Sequence, residues 1–164
     1  MQGRLSSSLP RPGARRRGDD GFTLLEVMVV VLVIGILLAV GIPTFLGARD
    51  RANDRSAQST LRGAQNTALV IFTDDATFRR TGATASGNAE PGISYVTRNN
   101  ESTDNTIVSV SWTSDGSQWA GAVRSDSGTC FYTTLLDDGP PRYGSSDTAP
   151  CTGNQALTVA DPSW

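Results

Sequence analysis

The chain has 164 residues, with 14 basic residues (all arginine) against 16 acidic ones, for a formal net charge of −2. Without a single histidine, no Ser/His or Cys/His arrangement is available for nucleophilic catalysis, so an enzyme is not expected. The distal arginines Arg79, Arg80, Arg98, Arg124 and Arg142 are scattered and outnumbered by acids, which leaves no obvious basic patch for nucleic acid, and the length suits one modest domain plus a membrane segment.

Residues 1–21 are rich in Ser, Pro, Gly and Arg, a composition that predicts disorder. Arg15, Arg16 and Arg17 cluster there, followed by Asp19 and Asp20. An apolar run begins abruptly at Phe22 and continues to Leu46, with Thr23, Glu26 and Thr44 as its only polar residues. As a helix this run spans roughly 37 Å, enough to cross a bilayer and longer than the apolar core of a secretory signal. The arginine-rich side should stay in the cytoplasm, placing the C-terminal part across the membrane. Glu26 is the anomaly of the run. A carboxylate at membrane depth costs on the order of several kcal/mol if it stays charged, so it marks a function and calls for a partner.

Gly35, Gly41 and Pro43 interrupt the run, and Pro43 predicts a kink or local loosening near Ala39–Pro43. The helix should continue to about Phe78 as an amphipathic half. Ala57, Leu61, Ala64, Ala68, Leu69 and Phe72 follow helical spacing and should pack on a globular domain. Arg49, Asp50, Arg51, Asp54, Arg55 and Arg62 occupy the other faces.

A loop is expected from Asp74 to about Gly92, least structured across Thr81–Asn88. Strands should follow at Ile93–Val96, Thr106–Thr113, Gln118–Arg124 and Thr129–Leu136, separated by the turns Ser114–Ser117 and Asp126–Gly128. The second strand alternates Val108, Val110 and Trp112 on one face with Ser109, Ser111 and Thr113 on the other. Strands so close in sequence favour an antiparallel meander, with the helix over one face, in an α+β domain. Residues 137–150 should have little regular structure. Cys130 and Cys151 are the only cysteines, and an even count in an exported domain suggests one disulfide, the alternative being two free thiols. Trp112, Trp119, Tyr95 and Phe131 read as sheet and core residues rather than stacking platforms. Asp137, Asp138 and Asp147 lack EF-hand spacing, so neither a metal nor a cofactor is expected.

The segment Gly21-Phe22-Thr23-Leu24-Leu25-Glu26, with the long apolar helix behind it and arginines upstream, resembles the cleavage motif of type IV prepilins and related pseudopilins. The resemblance implies that a membrane prepilin peptidase cuts between Gly21 and Phe22 and that the new amino terminus of Phe22 is methylated. It covers Gly21 to about Leu46 closely, with Gly35 and Pro43 at positions typical of the family. The rest of the chain matches only as architecture: a long helix, an antiparallel sheet and a disulfide-closed C-terminal loop. Two departures bear on processing: the leader is longer than many, and Asp19-Asp20 rather than basic residues precede Gly21.

Under this resemblance the chain divides into a cleaved leader (1–21), a membrane and filament-core helix (22–46), an amphipathic half (47–78) and a sheet-bearing head (79–164). Cleavage creates a cation at Phe22, about one turn from Glu26. The resemblance implies that Glu26 meets the Phe22 amine of a neighbouring subunit, and that the helix between Gly35 and Pro43 can lose order in a filament. The expected function is a structural subunit of a type IV pilus. Its partners are other pilin subunits, the peptidase and an assembly platform in the membrane. It starts as a single-pass precursor in the cytoplasmic membrane, head outside, and ends in an extracellular pilus. The alternatives are a pseudopilin of a type II secretion or DNA-uptake machine, and an anchored domain that forms no polymer.

Overall fold

A computed structural model describes residues 21–148 and 150–164. The leader expectation for residues 1–20, including Arg15–Arg17 and Asp19–Asp20, lies outside the described residues. The chain forms two compact units, Met1–Gly41 and Ile42–Trp164.

Helix α1 runs Leu24–Asp75. Thr23 opens it: its Oγ1 accepts the amide of Glu26 at 3.2 Å, satisfying one of the four orphan donors of a helix start. The helix is continuous through Pro43, so the loosening expected at Ala39–Pro43 does not interrupt it. Proline removes one donor and leaves the other bonds of that turn to hold the helix. The unit boundary falls beside it, between Gly41 and Ile42. The helix stops at Asp75 because Ala76 turns left-handed (φ 53°), its amide bonding the Phe72 carbonyl at 2.7 Å.

In the first unit, the helical residues from Leu24 to Val40 are exposed and almost wholly apolar, and α1, Leu24–Asp75, is long and apolar enough to cross a membrane. In the second unit, Ala57, Leu61, Ala64, Thr67 and Ala68 bury one face of α1, and Phe72 packs at its margin. Leu69 does not join them. It is 40% exposed, while Thr67 takes a buried place by donating its hydroxyl to the Gly63 carbonyl at 3.0 Å. Ile93 packs against the core beside Gly63, where a Cβ would meet its side chain at 3.0 Å.

The expected loop after α1 is partly helical. A 3-10 turn forms at Phe78–Arg80, and α2 spans Ala83–Ala89, largely within the stretch expected to be least structured. Burial of Phe78 and of Thr81 and Ser86 holds it, with Ser86 Oγ donating to the Thr81 carbonyl. Long-range packing here overrides a composition that favours loops.

Five strands follow: β1 (Ser94–Thr97), β2 (Ile107–Trp112), β3 (Gln118–Arg124), β4 (Cys130–Leu136) and β5 (Gly139–Ser146), paired in sequence order. Three pairings are antiparallel, but β1 lies parallel to β2, against the expected meander. The reason is the connection at 98–106. It returns to the starting end of β2, tied there by Ser102, whose amide donates to Cys151 O and whose hydroxyl donates to Ile107 O and accepts from Arg124 N. A second difference is β5, formed where irregular chain was expected. Pro140 and Pro141 are tolerated because β5 is an edge strand. Tyr143 and Asp161 exchange two backbone bonds along it.

The sheet is covered on both faces. Val108, Val110, Trp119, Val123, Phe131 and Leu135 pack against α1. Ala120, Ala122, Cys130 and Tyr132 pack against Cys151 and Ala156 of the C-terminal segment, which includes the short helix α3 (Gly153–Ala156). Ser109 and Ser111, on the face opposite Val108 and Val110 as expected, are therefore buried too. They bond the Gly153 amide at 2.9 Å and Asn154 Oδ1 at 3.1 Å.

Candidate processing and assembly site

The first turn of α1 gathers the residues singled out by sequence. Gly21 and Phe22 precede the helix, Thr23 caps it, and Glu26 is the acidic residue of its first turn. Phe22 is 80% exposed, and Glu26 is exposed too. Phe22 lies just outside the helix, four residues before Glu26. An anion here also complements the positive end of the helix dipole. Thr23 was missed as a contributor. Its signal was the Thr-x-x-Glu spacing, the sequence signature of a capped helix start.

Gly35 lies farther along the same unit, about 14 Å of helix rise from Glu26, and a Cβ built there meets nothing within 4 Å. Pro43 belongs to the second unit.

Cys130 and Cys151 are joined in a disulfide, with Cα atoms 5.6 Å apart. The bond ties β4 to the residues entering α3, and Tyr132 Oη donates to Pro150 O at 3.1 Å beside it. Burial pushes the Tyr132 phenol up. Asp137 and Asp138 lie at one end of β5 and Asp147 just past the other, so they do not converge, and no group of three metal-ligating side chains forms among the described residues. Asp115 is held down to about 2, by the Thr113 hydroxyl first and then by the Ser117 amide and hydroxyl, within the β2–β3 turn. Trp119 and Phe131 are core residues, as expected, and Tyr95 and Trp112 pack against that core.

Sequence comparison adds a second line of support. Residues 16–42 match the prokaryotic N-terminal methylation motif. Type IV narrow pilus major component PilA5 of Thermus thermophilus is 31% identical over 86 residues, 51% of this chain and 74% of that protein. Type IV wide pilus major component PilA4 of the same organism is 48% identical over 48 residues, 29% of this chain and 37% of the relative. Type II secretion system core protein G of Aeromonas hydrophila is 38% identical over 52 residues, 32% of this chain. The chain spans 36% of the length of that protein and 46% of its Vibrio cholerae counterpart. No solved structure matches. The capped turn with Glu26, the exposed apolar helix and a similarity reaching most of a pilus component place this chain in the type IV pilin-like family.

Proposed function

We propose that this chain is a structural, non-enzymatic subunit of a type IV pilus. Peptidase cleavage between Gly21 and Phe22 and methylation of Phe22 leave a helix whose 22–46 segment is the filament core. Residues 47–78 then join that core to the head at 79–164. The observation that carries the reading is the start of α1, where an exposed Phe22 lies four residues before an exposed Glu26 at the head of an apolar helix. Once Phe22 is the terminus, its amine and the Glu26 carboxylate of a neighbour neutralise each other. Because desolvation opposes the Coulomb gain, the pair acts on register more than on affinity. Moving from lipid into a helical core costs little when lipid-tail contacts are exchanged for helix contacts of similar quality. Gly35 and Pro43 mark the stretch that loses helical order in the filament. Until assembly the chain sits in the cytoplasmic membrane with its head outside.

Similarity to core protein G of type II secretion systems favours a second reading, a pseudopilin of a short fibre. Two measurements decide. Mass spectrometry of the purified protein should show a methylated Phe22 terminus; retention of residues 1–21 in functional protein removes both readings. Long sheared surface filaments built of this chain support the pilus, and a short cell-envelope fibre supports the pseudopilin.

A further inference from the structure

The unit Ile42–Trp164 has two ends of different charge. At one end, α1 meets the β3–β4 turn and the 98–106 connection: Ser127 Oγ bonds Asp54, and Asn105 Nδ2 lies 3.4 Å from both Ser56 Oγ and Asp126. The acids around that end are engaged within the copy. Glu101 faces Arg124 at 3.7 Å, Asp104 binds Thr106, Asp126 binds Asn105 and Asp54 binds Ser127. Arg49, Arg51 and Arg55 are exposed and have no partner among the described residues, with Asp50 the one unengaged acid beside them. On the helix, Arg51, Arg55 and Arg62 fall within about 40° of one another. Arg62 lies over the Trp164 ring at 5.2 Å.

At the other end, Phe78 N donates to Gly116 O and Asp137 N to Ser117 O, each at 2.9 Å, which gathers the end of α1 and two turns. Here the balance is reversed. Arg80 is taken by Asp75 at 3.0 Å, and Asp115 is turned in on its own turn. Asp74, Asp137 and Asp138 are exposed with no side-chain partner among the described residues, against unpaired Arg79 at that end and unpaired Arg142 farther along β5. From residue 54 to residue 75 the helix rises about 32 Å, several times the Debye length of about 8 Å at physiological salt. The two sets therefore do not neutralise each other within one copy.

We propose that the arginine face of α1 formed by Arg51 and Arg55 docks on the Asp74, Asp137 and Asp138 end of a second copy of this chain. The inference deepens the filament reading and rests on it, naming the contact that sets the register between heads. Two complementary patches at opposite ends of the unit suit a heterologous, head-to-tail contact, which propagates as an open polymer. Such complementarity works mainly through specificity and register.

The test compares filament yield from cells expressing wild type, Arg51→Glu/Arg55→Glu, Asp137→Arg/Asp138→Arg, and the four substitutions together. N-terminal mass is read in each to confirm equal processing. Asp137 and Asp138 are exposed turn residues without side-chain bonds, so their reversal leaves folding intact whatever the arginine variant does. Each charge-reversed pair should lower yield by roughly tenfold or more, and the fourfold variant should return to within about threefold of wild type. Wild-type yield from either pair, or a fourfold variant no better than the pairs, overturns the inference. Loss with the arginine pair alone assigns those arginines to another anionic surface, such as lipid headgroups, and overturns it too. A wild type that forms no filament fails the subunit reading itself, an outcome distinct from all of these.

Discussion

The hydroxyl of Ser127 donates to the carboxylate of Asp54, joining the β3–β4 turn to α1 across 73 residues of sequence. This bond fixes where along the helix the sheet begins. Asn105 reinforces it by reaching Ser56 and Asp126. A hydrogen bond to a half-buried charged group contributes about 1.5–3 kcal/mol. Ser127→Ala should therefore lower unfolding free energy by about 1–2 kcal/mol in urea titration of the detergent-solubilised chain. An unchanged midpoint would show that the helix is positioned by apolar packing alone.

The Cys130–Cys151 disulfide closes a separation of 21 residues, which in the chain-entropy model stabilises by roughly 3 kcal/mol. It also anchors the segment that covers the second face of the sheet. Reduction, or paired Cys→Ser replacement, should lower the denaturation midpoint and speed proteolysis at 147–164 before the rest of the chain. Equal cleavage rates in oxidised and reduced protein would contradict this.

Gly153 sits where a side chain cannot. A Cβ there would lie 2.6 Å from the Val110 carbonyl carbon and 2.7 Å from the Ser111 amide nitrogen, both backbone atoms. Gly153→Ala must push α3 off β2 and break the Gly153–Ser109 bond. The expected cost is about 2–3 kcal/mol, as for overpacking a close-packed core. A thermal midpoint within about 1 °C of wild type would sink the prediction.

Glu26→Ala should still be cleaved, since Gly21 and Phe22 are intact, but should yield roughly tenfold less filament because the charge partner of the new terminus is gone. Glu26→Gln keeps the shape without the charge and should resemble the alanine variant. Wild-type filament from the glutamine variant would leave Glu26 with no role in charge pairing.

Asp115 gives a pH signature. Its folded-state value, about 2, lies below the ordinary 3.8, so the folded state favours the carboxylate. The stabilisation is full above pH 3.8 and is lost as pH falls through about 2. Between those values Asp115→Asn should lose less stability than wild type, read as a shallower fall in thermal midpoint. Parallel curves would assign the acid sensitivity to other carboxylates.

The local features of the chain were legible from residue order. Apolar length set the membrane-competent helix, whereas the Thr23–Glu26 spacing that caps its start went unread. Alternation in Val108–Trp112, with the turns at Ser114–Ser117 and Asp126–Gly128, set β2, β3 and β4. What escaped depended on contacts distant in sequence. The 83–89 stretch is helical because Thr81 and Ser86 are buried against the core. β1 runs parallel because Cys151 O and Arg124 N hold Ser102 at the far end of the sheet. Ser109 and Ser111 are interior because α3, delivered by the disulfide, covers them. Periodicity reports how often a residue faces one way, and so determined which stretches form helix and strand. It carries nothing about what comes to lie on the opposite face, and only the tertiary structure decided that the second side of this sheet would be closed.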